Sequence, residues 1–339
     1  LYLKKPGLPA NTLAGAFFPN RVTTTKNGKP CRFPGLCSII FEKTNIYCDI
    51  SSYAIHNKRL ITKHNVIFRQ FWYNERFYII VPPRIASMTL LSGRTFLLTG
   101  AARGLGAVIA ERLVADGASL VLHYHHSARE AESLAERLGP ERCYLVQADL
   151  GAPGAASELW RAAWQWTGKL DGLINNAACM MPAGVDDPLT QWQTVWRQTL
   201  QVNLIAAADL CYEAIRDFRS QGGGLIVNIA SRAAFRGDAP PFMHYAASKG
   251  GLVALTRSIA RGFAQDNILA YAIAPGFVAT EKTRATLAML DQEAILKEIP
   301  LGSIVPPEEV AELVSLLVSG RLRHATGATF DLNGASYVR

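Results

Sequence analysis

The chain has 339 residues, a formal net charge of +8, and 49% apolar against 18% charged residues. That length and apolar share support a substantial core and exclude a chain that stays disordered for want of hydrophobic residues. The charge is uneven: residues 1–87 hold 13 Lys+Arg against 3 Asp+Glu and the remainder 22 against 24, so the larger part has no basic excess with which to bind nucleic acid.

Residues 1–87 have no clear periodicity, no repeat, no apolar span of about 18 residues and no signal-peptide layout, so no membrane segment is expected. Pro6, Pro9, Pro19, Pro30, Pro34, Pro82 and Pro83 punctuate them. No methionine precedes Met88. The first expectation is therefore an artefactual or poorly folded extension over 1–87. An organellar transit segment, Lys/Arg-rich but short of serine, is one alternative; a small accessory domain around Phe68, Phe71, Trp72, Tyr73, Phe77 and Tyr78 is another. Cys31, Cys37, Cys48, Cys143, Cys179 and Cys211 have neither zinc spacing nor a disulfide pattern. No metal site is expected, and a reducing compartment, hence a cytoplasmic location, is the default.

From Met88 on, strand and helix patterns alternate. Strands are predicted at 95–99, 118–124, 143–148, 171–175, 224–230, 268–274 and 328–332, and helices at 105–116, 128–138, 154–166, 189–218, 243–263 and 307–318. Alternation of this kind predicts an α/β fold, a doubly wound parallel sheet of Rossmann type, as a single catalytic domain over 88–339. The first strand runs into Gly100-Ala-Ala-Arg-Gly104-Leu-Gly106 and then a helix with Leu105, Val108, Ile109 and Leu113 at helical spacing. Glycines there allow a tight turn and close approach to a pyrophosphate, which the helix N-terminus favours. The loop after the second strand, Leu122-His-Tyr-His-His-Ser-Ala-Arg129, lacks the carboxylate that would bind the ribose 2′-hydroxyl of NAD. Arg103, inside the glycine turn, can instead grip a 2′-phosphate, so NADP(H) is the expected cofactor. Tyr245 and Lys249 lie one helical turn apart and share a face. An ammonium beside a phenol favours the phenolate and draws its pKa down from about 10. Composition alone gives about 0.4 Tyr-x-x-x-Lys pairs in such a chain, so the pair gains meaning only beside the glycine turn.

Together these motifs resemble the short-chain dehydrogenase/reductase family, over Met88 to Arg339 and in that family's order. Thr99-Gly-Ala-Ala-Arg-Gly-Leu-Gly106 is similar to its cofactor turn, and Asn175-Asn-Ala-Ala178 to its Asn-Asn-Ala-Gly motif with Ala178 replacing glycine. The resemblance implies a catalytic set of Asn203, Ser231, Tyr245 and Lys249. It implies cofactor contacts from Gly100, Arg103, Gly104, Leu105, Gly106, Asp149, Leu150, Asn176, Ala177, Tyr245, Lys249, Pro275, Gly276, Val278 and Thr280. Ser231 stands 14 residues before Tyr245, where the family usually has 13, and the tighter register would put Arg232 in the serine's place. A one-residue loop insertion is easily accommodated, and the apolar run 226–230 puts Ser231 at a strand end.

The implied activity is NADPH-dependent carbonyl reduction resembling that of 3-oxoacyl-carrier-protein reductases. Tyr245 would act as general acid, Lys249 would lower its pKa and bind ribose, Ser231 would bond the carbonyl oxygen, and Asn203 would hold a water leading from Lys249 to solvent. The loop 123–127 also resembles that of pteridine reductases, which points to His125 and Ser127 as phosphate-side contacts; that family's serine position is usually acidic, unlike Ser231. A sugar or secondary-alcohol dehydrogenase and a non-catalytic NADP(H)-sensing protein are the other readings. The substrate lid is expected over 277–301, with Thr280, Thr283, Leu287, Met289 and Leu290, and Met180, Met181 and Trp192 as further pocket candidates. The partners expected are a small carbonyl or alcohol substrate and further copies of the chain. A homotetramer or homodimer would form through Trp192, Trp196, Leu204, Leu210 and Tyr212 on one helix and Leu252, Leu255 and Ile259 on another.

Overall fold

The computed structural model describes residues 60–61, 67–73, 76–80 and 90–339, apart from 282 and 285–291. The chain divides into two compact units, Leu1–Met88 and Thr89–Arg339. In the first, β1 (Leu60–Ile61), β2 (Ile67–Tyr73) and β3 (Arg76–Ile80) form an antiparallel ribbon in the order β1-β2-β3. The other questions raised for 1–87, its three cysteines included, fall outside the described residues.

The second unit is a seven-stranded sheet in the order β10-β9-β8-β7-β4-β5-β6, every pair parallel. Its strands are β4 (Thr95–Leu98), β5 (Ser119–Tyr124), β6 (Cys143–Gln147), β7 (Gly172–Asn175), β8 (Gly224–Ile229), β9 (Ile268–Pro275) and β10 (Thr329–Leu332). Parallel strands covered on both faces read as continuous apolar runs, and β9 is buried at all eight positions. Side-chain alternation divides the core in two. Phe96 and Leu98 of β4 join Tyr271 and Ile273 of β9 under α1 (Gly104–Ala115) and α9 (Pro307–Val318), through Ile109, Leu113, Val310 and Val314. Leu97 faces the other way with Ile226 and Ala270, against α3 (Ala155–Thr167) and α5 (Ala206–Gln221), through Trp160, Ala163, Leu210 and Phe218. The remaining helices are α2 (Ala128–Leu138), α4 (Leu189–Leu200), α6 (Ala233–Arg236), α7 (Met243–Phe263) and α8 (Gln292–Lys297).

Two expectations change. The single helix predicted over 189–218 is α4 and α5 joined by a π-helical turn, Gln201–Ile205, with Asn203 buried in it. Apolar periodicity runs through both helices, so the local widening leaves little trace in the pattern. The apolar surface proposed for self-association is also smaller than expected. Leu210, Leu252 and Ile259 are buried within this unit, Leu210 and Ile259 in the core layer against the sheet; Tyr212 is exposed.

Strand order reverses between β4 and β7, whose neighbours lead away in opposite directions. The crevice at their carboxyl ends is where an open parallel sheet binds ligands. Among the described residues, both core layers are built from residues after Thr89. A protein beginning at Met88 should therefore unfold in one cooperative transition with far-ultraviolet circular dichroism typical of α/β proteins, checked by thermal melting. Aggregation, or loss of cooperativity, would show that the unit needs the preceding residues.

Candidate active site

The glycine turn is held by bonds from three strand ends. Gly100 has φ +65°, in the left-handed region that suits glycine, and a Cβ there would lie 2.9 Å from the Ala177 Cα. A Cβ on Gly106 would lie 2.1 Å from the Gly100 carbonyl oxygen, so helix α1 can start this close to β4 only with glycine. The Thr99 hydroxyl accepts from the Asn176 and Ala177 amides at 2.9 and 3.0 Å. The Asn176 side chain donates to the carbonyls of Thr99 and Gly100 at 2.9 and 3.0 Å. Asn176 thus straps β7 to the turn. Its amide nitrogen is occupied within the protein.

His123, within the strand predicted at 118–124 but not among the expected site residues, completes the strap. It is buried on β5, accepts a hydrogen bond from the Gly100 amide at Nδ1 (3.1 Å), and its Nε2 lies 3.1 Å from the Ala148 carbonyl oxygen. The neutral Nε2–H tautomer satisfies both contacts. Burial lowers its pKa to about 4, with a lesser upward effect from the Ala148 carbonyl and a further lowering by His125. The signal was available: His123 is two residues after Val121 and so shares its inward face.

Around this turn the residues fit a dinucleotide phosphate. Helix α1 has no side-chain cap: Arg103 precedes it in extended conformation. Its first amides are therefore without a side-chain partner, the arrangement that attracts phosphate. Arg103 and Gly104 are exposed, Leu105 is half-buried, and among the described residues a Cβ on Gly104 would have only Thr280 within 4 Å. Past β5, His125 Nε2 lies 3.6 Å from Asp149 Oδ1, Ser127 precedes α2 without bonding its amides, and Leu150 is buried. Opposite them, the Gly276 amide donates to the Leu332 carbonyl after buried Pro275, Val278 pairs with Val305, and the Thr280 and Thr283 hydroxyls lie 2.9 Å apart. Leu287, Met289 and Leu290 of the expected lid lie outside the described residues.

Helix α7 brings the chemistry to the same edge. Tyr245 and Lys249 share a face, and the Lys249 ammonium sits 5.7 Å from the centroid of the Tyr245 ring. Lys249 is buried and donates to the Ile229 carbonyl at 2.7 Å, at the end of β8. Desolvation brings its pKa down to about 8. Ser231, just beyond β8, hydrogen-bonds the Tyr245 phenol and accepts from the Ala233 amide at 3.1 Å. The phenol's pKa is pushed up to about 12, chiefly by desolvation, with the Ser231 bond opposing and Asp238 reinforcing the rise. The sequence had suggested the reverse. Lys249 gives its proton bond to a backbone carbonyl, and burial of the hydroxyl outweighs what an ammonium beyond the ring can offset.

Asn203, in the π turn, is tied into the same edge. Its Oδ1 accepts from the Cys179 amide at 2.7 Å, and its Nδ2 donates to the Cys179 carbonyl at 2.9 Å and the Ser248 hydroxyl at 3.1 Å. Both ends of the amide are engaged in tying the loop after β7 to α7, so its side chain is a clamp. Among the described residues no cluster of His, Cys, Asp or Glu is arranged to hold a metal, Cys143 and Cys211 form no disulfide, and no helix is long and apolar enough to cross a membrane. Met180 is exposed and Trp192 half-buried at the rim of α4.

The family model described as Enoyl-(Acyl carrier protein) reductase matches residues 100–334. The 3-oxoacyl-(acyl-carrier-protein) reductase FabG of Aquifex aeolicus is 31% identical over 252 residues, 73% of this chain and 98% of that relative. The corresponding reductase of Synechocystis sp. is 31% identical over 253 residues, again 73% and 98%. A solved structure of a mutant Serratia marcescens short-chain dehydrogenase/reductase is similar with a TM-score of 0.67 and 28% identity, over 73% of this chain and 99% of that one.

The His123 strap can be tested by pH. A histidine whose folded pKa is depressed stabilises fully above its unfolded value near 6.5, and that contribution is lost as pH falls toward about 4. Between about pH 7 and pH 4.5 the wild type should lose about 2 kcal/mol more stability than His123→Gln, which keeps an acceptor and a donor but does not titrate. Urea unfolding at the two pH values checks this; parallel losses would refute it.

Proposed function

The chain belongs to the short-chain dehydrogenase/reductase family, and from that premise we propose that it is an NADPH-dependent carbonyl reductase acting on a 3-oxoacyl-like substrate. One observation carries the reading: a phenol hydrogen-bonded by Ser231, with a buried ammonium one helical turn further on, lies at the sheet edge that also bears the glycine turn. The reduced nicotinamide, when bound, supplies a hydride to the carbonyl carbon. The protein's part is acid catalysis and orientation. Ser231 donates to the carbonyl oxygen and aligns it with Tyr245, which delivers its phenolic proton as negative charge develops there. With a pKa near 12 the phenol is fully protonated at neutral pH and holds the proton to be delivered, but it is then a weak acid whose transfer relies on stabilisation of the phenolate. Lys249 stands ready to stabilise the phenolate left behind and to bind the nicotinamide ribose. Asn203 holds the floor of this arrangement through Cys179 and Ser248.

Preference for NADPH rests on Arg103. Its guanidinium is exposed beside the turn and has no ion pair among the described residues, whereas Asp149 is already close to His125. The acyl-substrate reading is supported by the names of the relatives together with retention of Ser231. Self-association as a tetramer or dimer belongs to the same proposal, with exposed Tyr212 and Ile205 and half-buried Trp192, Trp196, Leu204 and Leu255 as apolar surface.

Tyr245→Phe should lower turnover of 3-oxoacyl thioesters by about 10²–10⁴-fold while NADPH affinity stays within a few-fold, because only the donated proton is removed. Steady-state kinetics and fluorescence titration separate the two quantities; near-normal turnover would sink the assignment. Arg103→Asp should move the NADPH/NADH ratio of kcat/KM by at least about tenfold toward NADH, since a carboxylate repels a 2′-phosphate and accepts a ribose hydroxyl. An unchanged ratio would transfer the role to His125 and Ser127 or abolish the preference.

A further inference from the structure

Arg232 follows Ser231 directly and is only 6% exposed. Its backbone is helical (φ −55°, ψ −28°), so the chain has left the strand and its side chain does not follow strand alternation. Its amide donates to the Pro275 carbonyl at 2.9 Å, and its guanidinium lies 4.7 Å above the Phe277 ring, just past the Pro275-Gly276 turn. The cation therefore lies between the residue that aligns the reacting carbonyl and the turn facing the nicotinamide position.

That guanidinium is underpartnered. Nη1 is buried with no hydrogen-bond partner among the described residues. Nη2 reaches Glu298 Oε2 only at 4.0 Å, and the same oxygen sits closer, 3.2 Å, to Arg236 Nη1. Arg236 is a like charge, and Asp238 acts on Arg232 only at longer range. Two arginines thus share one carboxylate oxygen, and its owner is more than half exposed on the segment after α8. A buried guanidinium short of partners is costly to maintain, and planar oxyanions satisfy it best. Glu298 shows which chemistry the pair accepts.

We infer that Arg232, with Arg236 beside it, binds a free carboxylate on the substrate, so that the enzyme prefers a 3-oxo acid to the neutral ester or thioester of the same acid. The inference rests on the carbonyl-reductase reading and specifies the acyl end that this reading leaves open. The substrate carboxylate takes the place of Glu298 and fills the unsatisfied Nη1. Its short tether to the ketone brings the carbonyl beneath Ser231 and Tyr245. Arg232 is a specificity-determining residue here, and proton transfer stays with Tyr245.

The test compares acetoacetate with methyl acetoacetate, NADPH being saturating, in wild type and Arg232→Met. The wild-type kcat/KM should favour the acid by at least about tenfold, the usual scale of a charge-assisted bond, and the variant should bring that ratio close to one, chiefly through KM for the acid. A purely structural Arg232 would lower both substrates together and leave the ratio intact, which would overturn the inference, as would a wild type indifferent to the charge. Calorimetric titration of the NADPH complex with malonate gives a readout without turnover. Wild type should bind it at least about tenfold more tightly than Arg232→Met, whereas Glu298→Gln, which removes the carboxylate that competes for Arg232, should bind it more tightly than wild type and so supplies an independent check if the first variant is unstable. Equal or absent binding refutes the carboxylate site. Retained malonate selectivity without reduction of any ketone would instead sink the reductase reading and leave the site standing.

Discussion

An ammonium ion buried at the end of a strand sets the terms for the carboxyl edge of this sheet. Lys249 has lost its water and keeps one strong protein partner, the Ile229 carbonyl. That bond forms only if α7 packs closely on β8. Gly251 permits the approach on one side, since a Cβ there would lie 2.7 Å from a Leu204 methyl on the π turn. Beneath it, Asn228 donates to Thr256 at 2.8 Å and accepts from Asn175 at 2.9 Å, so α7, β8 and β7 are joined by a buried polar chain. Polar groups placed this deep fix one register, because any slip leaves them unsatisfied. The placement of Tyr245 over Ser231 follows from the same constraint.

The other half of the crevice is built on the opposite principle. Around the glycine turn, the close approach of backbone to backbone is the design, and side chains serve as straps. Thr99, Asn176 and His123 engage the turn's own groups, so the first amides of α1 are held facing outward. A preorganised phosphate cradle needs no rearrangement when charge arrives. His123 must stay neutral for this, and its burial ensures that it does near neutral pH.

Between the two halves lies a region where charge is less well matched. Lys249 and Arg232 are both buried cations within a few residues of the phenol and hydroxyl, with Arg236 nearby, against Glu298 and Asp238. For the proposed carbonyl reduction, such an excess of positive charge would favour an oxyanion forming on the substrate and an acidic group arriving with it.

The sequence by itself determined the alternating elements, the parallel sheet, the glycine turn and the pairing of Tyr245 with Lys249, because each depends on local spacing: period two in strands, 3.6 in helices, glycine where backbone must pass backbone. Strand and helix limits agree with the structure to within a residue or two except at α5, where the helix continues to Gln221 and the π turn interrupts the predicted span. What only the tertiary structure decided are the relations between distant residues. The inward aim of His123, the Asn203 clamp on Cys179, the upward shift of the Tyr245 phenol and the orphaned Nη1 of Arg232 all arise where segments far apart in the chain meet. Desolvation and hydrogen-bond satisfaction are properties of the enclosed volume, and no spacing along the chain encodes how completely a group will be enclosed or which partner will already have been taken.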